Sequence, residues 1–591
     1  MALDAGRGRG VFVFWLRILF YWLKNIGNIC GWAYFRALFH PNGRFGRRAS
    51  DSGQGSACFQ YPLVRFTMSR LFFSLSLLFS LWFCARAQTP LTGNPAELPF
   101  ILELEEATRP EIPGLHSFAF AEWQGWWVVI GGRINGLHGF FPFTAFPENG
   151  ANTSIRLIDP ETGDMYSYEV GTLGIRYPDA LKSTNPQYTQ DGEILYIAGG
   201  YGKESASGKF VTFPTLTAVK LPELVAKMLA GENPATAFLQ MESPYLQVCG
   251  GEMDKLGDYF YLVGGHVFEG NYSQTQSASF TQTYTYEIRK FKLRVIANTV
   301  QILDYSAHRD ETNLRRRDFT LAPQILPNGK PALCLYGGVF RPNADLPYYN
   351  PVRITEDQIF QIDATYEQVF SQYTCPTVPL FDSLDGSMYT LFFGGLSVHY
   401  YDALSQQVKY DERVPFIRDI STFRRKADGS SREYLMPQRF DQLLGSNMLF
   451  VPEPESPHFP NEVIKLRALQ GKTLVGYLFG GIQADIPNIT TSRASNRLFK
   501  VYVRPKNTVG VHGAASPAPN VALYPNPISG MAALHIDSDE PIDILQLFHP
   551  DGRLLGSFGA DVAALERRLL AEPVGVYFVS VNAKMLRIMR G

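Results

Sequence analysis

The sequence predicts an all-β protein, a repetitive body followed by a small C-terminal β domain, and three observations carry that prediction. A hydrophobic strand runs straight into a Gly-Gly pair six times: WWVVIGG ending at Gly132, ILYIAGG at Gly200, YFYLVGG at Gly265, ALCLYGG at Gly338, YTLFFGG at Gly395 and VGYLFGG at Gly481. A strand-plus-turn unit repeated along one chain marks a radial or stacked β architecture, because each copy has an apolar face that it cannot bury alone. Composition agrees: 14% aromatic residues with 52 Gly and 39 Pro suit a turn-rich β protein better than long helices. Beyond residue 519 apolar positions alternate with polar ones between Pro-Asn-Pro, Asp-Gly-Arg and Gly-Val turn signals, the pattern of short antiparallel strands.

At 591 residues the chain exceeds what one hydrophobic core organises, so several domains and processed segments are expected. Formal net charge is −1, which offers no global field to draw in nucleic acid or an acidic membrane. From Met68 the chain reads MSRLFFSLSLLFSLWFCARAQTP: basic Arg70, an apolar run from Leu71 to Cys84, then Ala85-Arg86-Ala87 with small residues where signal peptidase cuts. Residues 68–87 are therefore expected to be a signal peptide removed before Gln88, and residues 1–67 an extension upstream of the true start at Met68. Within that extension the run VFVFWLRILFYWL is short for a span and is broken by Arg17, so no stable transmembrane span is expected in the mature chain. Export leaves Cys249, Cys334 and Cys375, an odd number without CxxC spacing; neither a disulfide framework nor a metal site nor a bound cofactor follows from them.

The second glycines of the pairs, Gly132, Gly200, Gly265, Gly338, Gly395 and Gly481, stand 68, 65, 73, 57 and 86 residues apart. Each interval holds four short strands and their loops. Later strands in the unit read TYTYEIRKFKL at 283–293, ITEDQIFQID at 354–363 and SNRLFKVYV at 495–503. On these segments residues 88–507 resemble the Kelch-type β-propellers, with repeats longer than that family's usual ~50 residues. The resemblance implies six blades, or seven if the 86-residue interval hides another, with Gly-Gly ending the second strand of each blade. Glycine suits that place because it takes left-handed backbone angles and lets a neighbour approach, so the pairs are structural.

In the same resemblance the loops after Gly-Gly gather on one face around a central channel. They would present Arg133, Asn135 and His138, then Tyr201 and Lys203, His266, Arg341, His399 and Gln483 as a ligand-binding face for a glycan or a protein. Catalytic residues are not identified. No Gly-rich phosphate loop, Gly-x-Ser-x-Gly elbow or His-Glu-x-x-His motif occurs. His266, His399 and Tyr400 lack the spacing of a copper site, and neither Asp-box repeats nor an arginine triad stand out. Sugar-active propeller enzymes of mutarotase or oxidase type remain the alternative to a binding module, and a structural coat protein is a third reading. A weaker echo pairs Arg317-Asp318-Phe319 and Pro323-Gln324 with Arg432-Glu433-Tyr434 and Pro437-Gln438, and predicts a repeated lock in which each Arg forks onto a carboxylate or carbonyls between blades. Asn152, Asn271 and Asn488 head Asn-x-Ser/Thr triplets, which in a glycosylating host would mark surface loops.

A Pro/Ala-rich linker at 508–519 separates the body from residues 520–591, which read VALYPNPISGMAALHI, IDILQLFHPDGRLLGSF and PVGVYFVSVNAKMLRIMRG. This segment resembles the C-terminal sorting domain of the type IX secretion system through Tyr524-Pro525-Asn526-Pro527 at its start, Asp551-Gly552-Arg553 at its central turn and Gly575-Val576-Tyr577-Phe578 before its last strand. The resemblance implies a small immunoglobulin-like β-sandwich, the type IX machinery as partner, and a secreted or surface protein of a Bacteroidetes-type bacterium.

Overall fold

The structure is a computed structural model that describes residues 92–139, 141, 144–272, 280–488, 491–506, 521–524, 533–538, 541–550, 553–581 and 584–590. The expected extension 1–67, the signal peptide 68–87, the linker 508–519 and the motif residues Pro525, Asn526, Pro527 and Gly552 lie outside the described residues. The described chain is all-β in character, built from many antiparallel sheets. Among the described residues no helix is long and apolar enough to cross a membrane.

Six sheets, each built on four antiparallel strands and the fifth and sixth carrying one further short strand, follow one another between residues 100 and 505. The first sheet is Ala119–Trp123, Trp126–Ile130, Ser154–Ile158 and Met165–Glu169; the second is Gln187–Asp191, Ile194–Ala198, Thr215–Lys220 and Phe238–Glu242. The third is Glu252–Leu256, Tyr259–Val263, Glu287–Ile296 and Thr299–Arg309; the fourth is Thr320–Ile325, Pro331–Tyr336, Val352–Ile354 and Gln361–Ile362. The fifth is Thr377–Asp382, Ser387–Phe393, Asp419–Arg425 and Ser431–Arg439. In the sixth, Leu443–Pro452, Thr473–Ala484 and Leu498–Pro505 are completed by Phe100–Glu106, so the two ends of the body share one sheet. The long interval 395–481 is filled by the hairpin His399–Asp402/Gln407–Tyr410 and by the loop 453–472, without a seventh sheet. Turn chemistry sets the tight hairpins: Gln124 (φ 50°) and Gly125 (φ 87°) are both left-handed, as the right-handed twist of a two-residue hairpin requires.

Five Gly-Gly pairs directly follow a second strand, the sixth lies within Thr473–Ala484, and the core is distributed between sheets. Ile130 and Leu157 of the first sheet pack with Leu195 and Val219 of the second. Ala198 and Leu216 then meet Met253 and Leu262 of the third, and Val263 and Ile288 meet Leu333 and Val352 of the fourth. Tyr336 packs on Phe392 and Phe423 of the fifth, whose Leu391 and Ile420 join Val475 and Leu478 of the sixth. Phe479 and Leu498 return to Trp127 and Val129 of the first, so the order of packing is a closed cycle.

A backbone seam runs along this cycle. Ser117, Asn185, Gly250, Asp318, Thr374 and Asn447 stand just ahead of, or within, the first strand of successive sheets, and all six are left-handed (φ 51–64°). The N–H of Asn185 donates to Ser117 O (3.0 Å), Gly250 to Asn185 O (3.2 Å), Asp318 to Gly250 O (2.8 Å), Thr374 to Asp318 O (3.1 Å) and Asn447 to Thr374 O. The Gly-Gly pairs add a second link. In five of the pairs the second glycine donates to the following sheet's entry segment, as Gly132 does to Ser183 O (2.8 Å), Gly265 to Arg316 O (2.8 Å), and in the last repeat Gly481 to Leu115 O of the first (2.9 Å). The first glycine has no room for a side chain: a Cβ on Gly131, Gly264 or Gly337 would stand 2.7 Å from the next sheet's carbonyl oxygen. Glycine is required twice over, by its φ and by that approach.

In the C-terminal segment Val521–Tyr524 pairs with His535–Ser538, and a four-stranded sheet runs in the order Leu554–Ser557, Leu545–Phe548, Gly575–Val581, Lys584–Arg590. A helix, Val562–Ala571, which the strand-only expectation did not include, lays Leu565 and Leu569 on Leu545, Leu547, Tyr577 and Val579. Its sequence gives the reason: Asp561 caps it by accepting from Ala564 N (2.9 Å), and VAALERRLLA is rich in helix formers with apolar residues four apart.

Candidate functional site

The first strands, with their left-handed entry residues, line a cavity of about 1020 Å³. All six seam residues are on its wall, together with Glu122, Tyr188, Glu252, Asp254 and Lys255. The two ends differ. At one end lies the segment that follows Leu443–Pro452, which contributes His458, Phe459, Asn461 and Glu462 to the lining. It is tied to several sheets: Asn461 Nδ2 donates to Gln324 O (3.0 Å), Ile464–Lys465 pairs in parallel with Leu380 and Phe381, and Arg467 grips buried Asp382 through two bonds of 2.7 and 2.6 Å.

Three carboxyls inside the cavity influence one another. Burial, reinforced by Asp254 and Asp318, pushes Glu252 up to about 8, and burial with Glu462 pushes Asp254 up to about 7 against the Lys255 amide that favours its charge. Burial also raises Glu462. Tyr188, raised by burial, feels both Glu252 and Glu462. Among the described residues no group of His, Cys, Asp and Glu is arranged to hold a metal ion.

At the other end stand the loops that follow Gly-Gly. The residue after each pair bridges back to the residue ahead of the seam: Arg133 to His116, Tyr201 to Thr184, His266 to Cys249, Val339 to Arg317, Leu396 to Tyr373 and Ile482 to Ser446. In the second, third and fifth repeats the loop rises as a two-stranded hairpin, Tyr201–Lys203/Phe210–Thr212, His266–Gly270/Phe280–Tyr284 and His399–Asp402/Gln407–Tyr410.

This arrangement changes the roles expected of the post-glycine residues. Arg133 is 5% exposed and locks its own loop, donating to Asn135 Oδ1 (2.8 Å) and Pro147 O (2.7 Å) with its guanidinium over Phe146; burial lowers its pKa to about 10. Tyr201 is 4% exposed and donates to Gly270 O (2.6 Å). His266 is also buried, bonded to Gln282 (2.9 Å), and burial together with Arg317 keeps it neutral. Lys203 reaches outward to Glu148 (2.7 Å). His138 stacks on Phe146 (4.8 Å) and meets the edge of Tyr272 (4.9 Å), with its pKa lowered by burial. Arg133, His138 and Tyr201 thus share an aromatic cluster with Phe146, to which Tyr272 and Phe280 also belong. Arg341 and His399 form a separate group, Arg341 over Tyr349 (4.8 Å) and His399 against Tyr410 (5.3 Å). Gln483 is buried in its strand, opposite Arg493, and joins neither group.

Residues ahead of the seam, of which the sequence marked Arg317 only as a lock, also reach the loops that follow Gly-Gly. Arg317 holds Asp318 and donates to Tyr284 Oη (3.3 Å); burial opposes its charge, but Asp318 and Tyr284 outweigh burial and raise its pKa. The expected lock at Arg317 belongs to its neighbour: Arg316, 0% exposed, donates to Asn313 O (2.7 Å), Gly337 O (3.2 Å) and Asn350 O (2.9 Å). Arg432 is no counterpart, since it lies exposed in the fourth strand of the fifth sheet, whereas Arg317 precedes a first strand. Glu433, buried beside it, accepts from Val369 N and is pushed by burial up to about 7. Asn152 is a lock too, 1% exposed and donating to Gly131 O and Ser154 O (both 2.9 Å), so its triplet marks no open loop.

No protein-family model and no curated protein matches the chain. Among solved structures, that of YjhT aligns over 67% of this chain and 98% of its own at 10% identity and a TM-score of 0.38.

Proposed function

We propose that this chain is an exported binding protein, a six-bladed β-propeller of the Kelch type whose loop face takes a glycan or protein ligand, delivered through the type IX secretion system by its C-terminal domain. One observation carries the binding reading: the loops that follow Gly-Gly and the segment entering the fourth sheet bring rings and arginines together, namely Tyr272, Tyr284, Phe340 and Tyr349 with Arg315, Arg317 and Arg341. Aromatic and guanidinium groups dominate recognition surfaces because each offers large contact area with a polar or charged handle. The cyclic packing of six meanders supports the propeller reading, and the Met68–Ala87 pattern with Tyr524–Pro527 and Gly575–Phe578 supports the export reading.

The test is a thermal-shift panel of neutral and charged saccharides against the full chain. A ligand at about a hundred times its Kd adds roughly 2.7 kcal/mol, which moves the midpoint of a body this size by about 1–3 °C. A saccharide-specific shift that Tyr272→Ala abolishes is expected; silence across the panel removes the glycan reading. For export, the chain recovered outside the cell is expected to begin at Gln88.

A second reading, a sugar-active enzyme, is favoured by Glu252 and Asp254, two cavity carboxyls held up in the range where an acid and a base exchange protons near neutrality. Turnover of a bound sugar that Glu252→Gln abolishes without loss of binding would select it.

A further inference from the structure

We propose that the arginine-rich corner of the loop face, Arg315, Arg317 and Arg341, binds an anionic group carried on a saccharide, a carboxylate or a sulfate. The inference rests on the loop-face reading and names its ligand class. Arg315 and Arg317 come from the segment entering the fourth sheet, and Arg341 from the loop after Gly338 of the same sheet. Arg315 and Arg317 share the Tyr284 ring, and Arg341 lies over a ring of its own. Arg315 lies 4.3 Å over Tyr284, whose hydroxyl accepts from Arg317; Arg317 lies 5.4 Å from the Phe340 ring, and Arg341 4.8 Å over Tyr349. Arg315 Nη1 also donates to Phe340 O (2.6 Å), which fixes it beside the backbone of Arg341.

Donor use separates these arginines from Arg316 between them. Arg316 is buried and places all three of its nitrogens on carbonyls, which is a structural role. In Arg315 only Nη1 is engaged, with the carbonyls of Phe340 and Arg341, while Nε of Arg341 is buried and has no partner. A guanidinium offers five N–H groups in a planar fork that fits carboxylate and sulfate oxygens two at a time. The charge around them is incompletely balanced: Asp318 is held by Arg317, and Asp345 stands exposed in the Arg341 loop. His138 and His266, both influenced by Arg317, stay neutral. The rings beneath the guanidiniums restrict their rotamers in advance, so less freedom is lost when an anion arrives.

Titration calorimetry of the full chain tests this with three probes: trigalacturonate for the carboxylate, a sulfated galactan tetrasaccharide for the sulfate, and galactotetraose as the neutral control. At least one anionic probe is expected to bind about tenfold or more tighter than the neutral one, with affinity falling as salt rises. Arg315→Gln with Arg341→Gln is expected to weaken that probe by about tenfold or more while the melting temperature stays within about 1 °C, because neither side chain carries a buried ion pair. Arg341→Lys, which keeps the charge and loses the fork, is the second variant and is expected to lose part of the affinity. Equal binding of the neutral probe, or unchanged anionic affinity in both variants, overturns the inference and leaves the loop-face reading standing. Absence of binding by all three saccharides overturns the inference together with the glycan reading of the loop face.

Discussion

Replacing Gly480 by Ala tests whether the close approach between successive sheets holds the body together. Gly480 has φ +75°, and a Cβ there would stand 2.5 Å from Leu115 O, the carbonyl that receives the Gly481 amide and closes the cycle from sixth sheet to first. The left-handed angle alone costs an alanine roughly 1–2 kcal/mol. The clash adds about 1–3 kcal/mol, because the neighbour is backbone and must shift with its sheet. Gly429→Ala is the control: its φ is +85° in the turn 426–430, but nothing lies within 4 Å of a Cβ there, so only the backbone term applies. A body of about 400 residues has an unfolding entropy near 0.9 kcal/mol/K, so Gly480→Ala is expected to lower the calorimetric midpoint by about 2–6 °C and Gly429→Ala by about 1–2 °C. Equal losses in the two variants would refute the reasoning, since the approach to Leu115 would then carry no energy of its own.

Arg316→Lys should destabilise the body by about 2–4 kcal/mol in urea denaturation, because one ammonium cannot replace a planar fork on three carbonyls and at least one of them is left buried without a donor. The cavity carboxyls predict a pH dependence. With folded pKa values of about 8 for Glu252 and about 7 for Asp254, both above the unfolded range near 4, their contribution to stability is fully present below about pH 4 and is lost as pH rises towards 8. Glu252→Gln should flatten the fall of the melting temperature across that window, and an unchanged slope would clear Glu252 of the role. Removing Phe100–Glu106 should open the edge of Leu498–Pro505 to intermolecular pairing, visible as oligomers in light scattering.

The repeated strand ending in Gly-Gly was legible because its cause is local: a buried apolar strand and a left-handed turn both leave their mark in adjacent letters. The seam was not legible, since Ser117, Asn185, Gly250, Asp318, Thr374 and Asn447 share a backbone angle and not an identity; only their short side chains hint at it. The site divided in the same way. Position after Gly-Gly was the signal read for one face, but the bridge back to the entry segment turns Arg133, Tyr201 and His266 into packing. Arg315 and Arg317 came from the neighbouring segment, which approaches that face only once the sheet has formed. Arg432 misled because a three-letter likeness ignores strand order. Glu252 and Asp254 alternate with apolar Met253 in the strand EMDKL, a local pattern that does not separate a solvated side from a cavity side, and only the cyclic packing makes that side an interior.

The seam has a consequence for how such a protein changes over time. Its links are amide to carbonyl, so the spacing of the six sheets around the cavity is set by main chain and is indifferent to the side chains of the residues that make it. Those six side chains border the cavity, and at this position any short residue that tolerates a left-handed angle is accepted. Scaffold and lining are thus written on the same residues but in separate alphabets, one in dihedral angles and one in functional groups. The single charge on that border, Asp318, is answered by Arg317 beside it, so the charge of the lining is a local matter between two neighbours while the spacing of the sheets is left to main chain.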